Sequence, residues 1–309
     1  MAQEQSLLCS DLSKSVNEPL YGSAPLTDTW LLLEYPSLYG AKAFEESDLD
    51  VHIKSHLATV QKFLPNPRLV LVRRGKDLVS SKINFFLAFS TERQSQLFHV
   101  ELGSYDELLN IEFEAYLAGK PATLDNLQAE PIFIVCTNGK RDRCCAKYGL
   151  PLYDAITSYG QDNVWQSSHV GGHRFAGNLV CLPHGIYYGR IPPEQGIRVI
   201  DAYRSRSLVM EYYRGRACYS AAGQAAEYYL RTHTGIVGVD EIHLVEEHEL
   251  DKDHWSFTFQ TSQGKNFQLR IHREVSDYAI FESCTTPEKR VQQSLYELQD
   301  IKEAHPAKH

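Results

Sequence analysis

The stretch Pro131-Ile-Phe-Ile-Val-Cys136, which Thr-Asn-Gly-Lys-Arg-Asp-Arg connects to the adjacent pair Cys144-Cys145, decides how this chain is expected to fold. Its first six residues are apolar almost throughout, a pattern typical of a strand that is buried on both faces. Residues 146–158 then have the pattern of a helix. Because ligands collect where the strands of an open α/β sheet end, we expect the Cys136 thiol to emerge at a binding site.

Two histidines follow in the short segment His169-Val-Gly-Gly-His173. Thiolate sulfur and imidazole nitrogen are the ligands that zinc, iron or an iron–sulfur cluster selects, whereas calcium and magnesium prefer oxygen. The two glycines free the backbone to turn both imidazoles toward one atom. Adjacent side chains diverge, so only one of Cys144 and Cys145 is expected to be a ligand. The sequence therefore predicts a four-ligand metal site.

Composition limits the class of protein around that site. The chain has 309 residues, of which 43% are hydrophobic and 23% charged, so it is expected to be a globular protein of two or more domains. Apolar runs stay shorter than the roughly 18 to 20 residues that a membrane helix needs, and the first residues do not show a basic segment followed by a long apolar one, so neither a membrane helix nor a secretory signal is expected. A net charge of −8 argues against nucleic acid as a partner. An odd number of cysteines, seven, favours a reducing compartment and predicts a cytoplasmic protein.

The order of predicted elements divides the chain into three domains, 1–125, 126–205 and 206–309. The first two domains each have the order β-α-β-β-β-α, which predicts an α/β fold of thioredoxin-like mixed sheets flanked by helices. The predicted strands of these two domains are 29–34, 68–73, 84–89, 97–102, 131–136, a short one from Val164, 178–182 and 186–190, and the helices are 44–63, 105–117, 146–158 and 193–203. Tyr35 is expected near the position that Cys136 holds in the second domain.

The last domain is predicted to be α+β. It is expected to contain helices at 207–213 and 217–231, strands at 239–246, 255–261, 267–274 and 278–283, an amphipathic helix at 287–300 and a frayed tail at 302–309.

The segments Cys136-Thr-Asn-Gly-Lys-Arg-Asp and His169-Val-Gly-Gly-His-Arg-Phe-Ala-Gly-Asn178 resemble the paired motifs of the sucrase/ferredoxin-like family. The resemblance implies a thioredoxin-like ferredoxin domain with a [2Fe–2S] cluster, held by Cys136 and Cys145 on one iron and by His169 and His173 on the other. Relatives carry the second cysteine nine positions after the first, which makes Cys144 an extra thiol and the alternative ligand. The implied function is electron transfer, coupled to protons through the imidazoles, to an unknown redox partner.

Two other functions fit the same residues. The four ligands also suit a structural zinc ion. The third possible function is a thiol–disulfide oxidoreductase on a thioredoxin-like scaffold, although the Cys-x-x-Cys spacing at a helix start is missing. Paired carboxylates in a glycosidase context are not recognisable, so hydrolysis is not expected and no catalytic residue is assigned. A basic cluster near the cysteines would offset the charge of bound thiolates; it consists of Lys140, Arg141, Arg143 and Lys147.

Overall fold

The computed structural model describes residues 7–75, 81–92, 95–120 and 125–304. Its helices are α1 (Cys9–Ser15), α2 (Val51–Phe63), α3 (Phe113–Leu117), α4 (Arg143–Thr157), α5 (Gly196–Arg204) and α6 (Ala221–Thr234). The strands are β1 (Thr29–Glu34), β2 (Pro67–Arg73), β3 (Ile83–Phe89), β4 (Gln96–Leu102), β5 (Ile132–Cys136), β6 (Val164–Ser167), β7 (Leu179–Leu182), β8 (Ile186–Tyr188), β9 (Tyr213–Arg216), β10 (Ile242–Asp251), β11 (His254–Thr261), β12 (Asn266–Phe281) and β13 (Arg290–Ala304).

Within the described ranges, the first nine strands form one large mixed sheet in the order β4-β3-β1-β2-β6-β5-β7-β8-β9. Strand β1 is parallel to β2 and antiparallel to β3, and β5 has the same relations to β6 and β7. The first half (β1–β4) and the second half (β5–β8) therefore repeat one connectivity. They join where the ends of β2 and β6 pair antiparallel, with Val72 opposite Ser167.

The large sheet curls so that its inner face becomes a shared core. Trp30, Phe86, Trp165 and Tyr187 come from both halves and pack in one buried cluster. The curl brings the end of β3 to the β7–β8 turn, where the Ser90 hydroxyl donates to the carbonyl of Pro183. The predicted mixed α/β class, with a sheet flanked by helices, is confirmed.

Helix α4 packs on the outer face of the second half. Its apolar side chains include Leu152 and Ile156, which share a buried cluster with Phe133 of β5. The helix comes very close to the strand, because a Cβ atom on Gly149 would stand 2.0 Å from the carbonyl oxygen of Cys136. This contact holds the first turn of the helix beside the end of β5.

Four further strands in the described part form a small antiparallel sheet, β10-β11-β12-β13. Helix α6 covers it, with Ala226 and Leu230 packed against Phe257 of β11. The buried carboxylate of Glu227 on α6 lies 2.9 Å from Arg231 and 3.7 Å from Arg216 of β9. Because β9 is an edge strand of the large sheet, the Glu227–Arg216 pair connects the helix that covers the small sheet to the large sheet.

The prediction of an amphipathic helix at 287–300 is wrong. Residues 290–304 form β13, which pairs along β12 from Phe281 opposite Arg290 to Asn266 opposite Ala304. Strand β12 is itself longer than expected, since it joins the strands predicted at 267–274 and 278–283. Apolar residues at 291, 295, 298 and 301 match a helical period, and pairing with a distant strand overrides that local pattern.

Other predicted boundaries also differ. The helix predicted at 207–213 is wrong, because that segment contains a single 3-10 turn, Met210–Tyr212, before β9. The helix predicted at 44–63 begins at Val51, and the one predicted at 105–117 is divided into a 3-10 turn and α3. The predicted tail begins within β13, and residues 305–309 lie outside the described residues. Over the described ranges, every helix is too short or too polar to span a membrane.

Candidate metal centre

The end of β5 and the start of α4 place the cysteines. Strand β5 ends at Cys136, whose amide donates to the carbonyl of Asn178 at 3.1 Å. Six residues later Asp142 caps α4, accepting from the amide of Cys144 at 2.9 Å. The helix thus starts at Arg143, three residues before the predicted start, and both adjacent cysteines lie in its first turn.

The histidine loop is anchored on both sides. Just before it, the amide of Ser168 donates to the carbonyl of Leu71 at 2.8 Å, and inside it the carbonyl of Val170 accepts from the hydroxyl of Tyr187 at 2.8 Å. Within it, Gly171 and Gly172 have φ angles of 99° and 70°, a region that favours glycine. The loop therefore reverses between the two histidines.

Three of the predicted ligands converge. The Sγ atoms of Cys136 and Cys145 each lie 3.9 Å from Nδ1 of His169. All three ligand atoms lie within 4.8 Å of one another, and both cysteines are buried. One metal centre could contact all three, because thiolate and imidazole ligands on one ion stand about 3.5 to 4 Å apart.

The fourth predicted ligand, His173, lies beside this group. Its ring centroid is 5.0 Å from that of His169. Nδ1 of His173 is buried and has no hydrogen-bond partner among the described residues. A buried nitrogen without a partner is costly, and coordination of a metal centre would satisfy it. On its other side, Nε2 lies 3.8 Å from the carboxylate of Asp142. A carboxylate that contacts the outer nitrogen of a ligating imidazole holds the ring in its orientation.

The electrostatics give the members of this group different protonation states. The pKa of Cys136 lies well below its ordinary value, because Cys145 and His169 hydrogen-bond to its thiolate. The pKa of Cys145 is raised in turn by its contact with Cys136 and by burial. Burial and the neighbouring His169 lower the pKa of His173, so that its imidazole is neutral. One thiolate and a neutral imidazole therefore face the centre.

Cys144 points the other way. Its Sγ atom lies 3.3 Å from Sγ of Cys9 and 3.4 Å from Sγ of Cys284. Hydrogen bonds from Cys9 and Ser10 lower the pKa of Cys144 to about 7 against the effect of burial. Of the adjacent pair, Cys145 is the one that faces His169.

Several supporting residues were not identified from the sequence. Asn178 donates to the carbonyl of Gly172 at 2.8 Å, and the buried side chain of Arg214 donates to Asn178 Oδ1 at 2.8 Å and to the carbonyl of Gly171 at 3.3 Å. Asn178 stands in the quoted histidine motif and could have been noticed there. Arg214 lies 41 positions beyond His173, and local sequence carries no signal for its role.

Two clefts reach the histidines, one at His169 and one at His173. One is lined by Lys42, Asn138, Arg141 and His169, among other residues. The other is lined by His173, Arg174, Glu282 and Lys289, among others. Both imidazoles are therefore accessible to solvent at one edge while the cysteines are enclosed.

Comparison with known proteins identifies the family. The model of the sucrase/ferredoxin-like family matches residues 20–215, which include all four candidate ligands. The chain belongs to the sucrase/ferredoxin-like family. The predicted family resemblance is confirmed at this level.

The chain is also similar to curated proteins named Altered inheritance of mitochondria protein 32. The relative from Debaryomyces hansenii is 33% identical over 95 residues, 27% of this chain and 35% of the relative. The one from Meyerozyma guilliermondii is 30% identical over 99 residues, 28% of this chain and 34% of the relative. A Saccharomyces cerevisiae relative is 24% identical over 134 residues, 34% of this chain and 43% of the relative. The matches thus span less than half of each relative, and no solved structure matches the chain.

These comparisons overturn the predicted function. The relatives are named for altered inheritance of mitochondria, and neither their names nor the family match supports a [2Fe–2S] electron-transfer role. The prediction of an iron–sulfur electron-transfer protein is therefore wrong as a statement of function. The redox partner that it required is likewise not supported.

Proposed function

We propose that this protein binds a metal centre through Cys136, Cys145, His169 and His173. The observation that carries the proposal is the buried group of two thiols and one imidazole, with both Sγ–Nδ1 distances at 3.9 Å, beside a second imidazole whose buried Nδ1 lacks a partner among the described residues.

The donor set determines the kind of metal. Two thiols and two imidazoles suit zinc, iron or an iron–sulfur cluster and offer no oxygen ligand for calcium or magnesium. The thiolate of Cys136 supplies negative charge to the centre, and the exposed cations of Lys140 and Arg141 on the adjoining loop offset it. Asp142 fixes His173 from outside the centre.

The finer predictions of cofactor, fold and location stay proposals. The [2Fe–2S] cluster that the family resemblance implies is our prediction for what the four ligands hold. The repeated strand connectivity of the two halves supports two thioredoxin-like units. A reducing compartment such as the cytoplasm would keep the buried thiols available for metal, which supports the predicted location.

Metal analysis of the full chain tests the proposal. The protein is matured with a working cluster-assembly system and purified without oxygen, and iron, zinc and acid-labile sulfide are measured per chain. Wild type should retain metal, and Cys136→Ala and His169→Ala should each lose the iron and sulfide of a cluster or one equivalent of zinc. Cys181→Ala is the matched control, because Cys181 is also a buried cysteine but lies on β7 outside the site. Full metal content in folded Cys136→Ala and His169→Ala would overturn the proposal. Sulfide equal to iron identifies a cluster, and zinc without sulfide identifies a single ion.

A further inference from the structure

A second group of cysteines lies next to the proposed centre and shares none of its ligands. Cys9 comes from α1, Cys144 from the first turn of α4, and Cys284 from the segment after β12. Their Sγ atoms lie 3.3 Å (Cys9 to Cys144), 3.4 Å (Cys144 to Cys284) and 3.6 Å (Cys284 to Cys9) apart. Three thiols from segments up to 275 positions apart thus form one triangle.

A buried carboxylate completes a set of four ligands. Asp142 has Oδ1 at 3.8 Å and Oδ2 at 3.9 Å from Sγ of Cys9. The four ligand atoms, one from each residue, lie within 4.8 Å of one another. The carboxylate is held in place by the amides of Cys144 at 2.9 Å and Cys284 at 2.7 Å and by the hydroxyl of Ser283 at 3.0 Å.

The geometry fits a tetrahedral ion. Three thiolates bound to zinc at about 2.3 Å stand about 3.8 Å from one another by tetrahedral geometry. The observed separations are a few tenths of an ångström shorter, so the thiols need only a slight outward shift to admit the ion. Donors already point at the sulfurs: the amide of Cys9 donates to Sγ of Cys284 at 3.3 Å, and the hydroxyl of Ser10 donates to Sγ of Cys144 at 3.2 Å.

A purely apolar role explains this group less well. Free cysteines often pack as small hydrophobic residues, and Leu8, Ala176 and Phe281 do surround Cys9 and Cys144. Apolar packing alone does not explain why three thiols from three distant segments converge within 3.6 Å of one another beside a carboxylate that hydrogen bonds already hold in place. A divalent cation would bind all four groups at once, and the surrounding apolar side chains would shield the site from water.

We propose that Cys9, Cys144, Cys284 and Asp142 form a second metal site, a structural zinc site. It would fasten α1 and the segment after β12 to the start of α4. Because such a site exists only when these distant segments are brought together, the free energy of metal binding adds to the stability of the folded chain.

Zinc binding to the full chain tests the second site separately from the first. In a Cys136→Ala/His169→Ala background, reduced and stripped of metal, we expect one zinc per chain. We also expect Co²⁺ to give the intense absorption of a tetrahedral thiolate site. Cys9→Ser and Cys284→Ser should each weaken zinc binding more than about 100-fold. Loss of a residue that only orients a ligand already weakens binding about 10- to 100-fold, and loss of a ligand itself should weaken it further. Cys218→Ser is the matched control, since Cys218 is partly buried like Cys284 but lies outside both groups.

Two results would overturn the proposal. One is a folded background variant, judged by circular dichroism, that binds neither zinc nor Co²⁺. The other is a disulfide between Cys9 and Cys144 or Cys284 in protein kept under thiol reductant, detected by peptide mass mapping. If the background variant does not fold, Cys284→Ser in the otherwise native chain must lose one equivalent of zinc while the metal at Cys136 and His169 stays. If the first site binds no metal, the zinc content still reports on the second site, because the Cys136→Ala substitution then removes no metal.

Discussion

The two halves of the large sheet share a connectivity and differ in what stands at the end of the first strand. Leu33 pairs with Phe85 in the first half as Val135 pairs with Leu179 in the second. By this register Glu34 is the counterpart of Cys136, and Tyr35, which was expected near that position, is the next residue in the chain.

The neighbours of these equivalent positions show why only the second half forms a site. In the first half, the carboxylate of Glu34 accepts from the amide of Asn84 at 2.8 Å and from its side chain, so its hydrogen bonding is satisfied locally. In the second half, the counterpart of Asn84 is Asn178, which instead secures the histidine loop. The connection after the strand also differs, because α4 begins seven residues after Cys136 whereas α2 begins seventeen residues after Glu34. A common scaffold thus acquires metal ligands through a short connection that brings the start of a helix to the strand end.

The largest expected effect is a loss of metal affinity when a residue of the histidine loop is replaced, compared with replacement of the equivalent residue in the first half. Counting from the paired residues Val72 and Ser167, His169 corresponds to Arg74, whose guanidinium stacks on Trp165 at 4.2 Å. His169→Ala should lower metal affinity more than about 100-fold, because it removes a ligand rather than an outer-shell partner. Arg74→Ala should leave metal content unchanged. Competition with a chromophoric chelator measures both, and equal retention by the two variants would remove the functional distinction between the halves.

A smaller effect is expected at the equivalent asparagines. Asn178→Ala removes the hydrogen bonds to the carbonyl of Gly172 and from Arg214 that shape the loop. We expect a loss of metal affinity of about 10- to 100-fold, as for other residues that orient ligands. Asn84→Ala lies at the same position of the first half and should not change it. The same chelator titration compares the pair, and a loss in Asn84→Ala as large as that in Asn178→Ala would contradict the assignment.

Acid should destabilise the second half more than the first. At the β7–β8 turn, burial and then the charges of Arg216 and Arg206 lower the pKa of His184 to about 3, although Asp240 at 3.7 Å opposes the shift. The unfolded imidazole has a pKa of about 6.5, so between about pH 6.5 and 3 the unfolded chain binds a proton that the folded chain does not. Stability should therefore fall with pH in that window, by up to about 1.4 kcal/mol per pH unit for this one group.

Urea unfolding at several pH values measures this slope. His184→Gln should flatten it below about pH 6.5, from the same linkage. His99→Gln in the first half is the comparison: burial also lowers the pKa of His99, but this side chain is only partly buried, so its replacement should flatten the slope less. An unchanged slope in His184→Gln would show that other groups govern acid unfolding.

The secondary-structure elements and the first-site ligands that could be predicted are those that leave a signal in the local sequence. The apolar run of β5, the glycines between His169 and His173, and the repeated element order all leave a pattern within a few residues. Contacts between residues far apart in the chain leave no such local pattern. The triangle that includes Cys9 and Cys284 spans 275 positions, and the strand character of β13 arises only from pairing with β12. The one-residue shift between Glu34 and Tyr35 required the strand register, which the sequence does not contain.

The smallest expected effect concerns Glu34, and it tests whether the first half uses its strand end for stability alone. Glu34→Ala leaves the amide and side chain of Asn84 without their shared acceptor. Asn84 is buried whereas Glu34 is partly exposed, so the loss should be near the low end for an unpaired polar group, about 1 kcal/mol of unfolding free energy. In a double-mutant cycle with Asn84→Ala, the coupling should be of similar size, about 0.5 to 1.5 kcal/mol. Metal content should not change in any member of the cycle.

Chemical unfolding and metal analysis on the same samples measure both quantities. Loss of metal in Glu34→Ala would show that the first half contributes to the centre, and the contrast between the halves would then be one of degree.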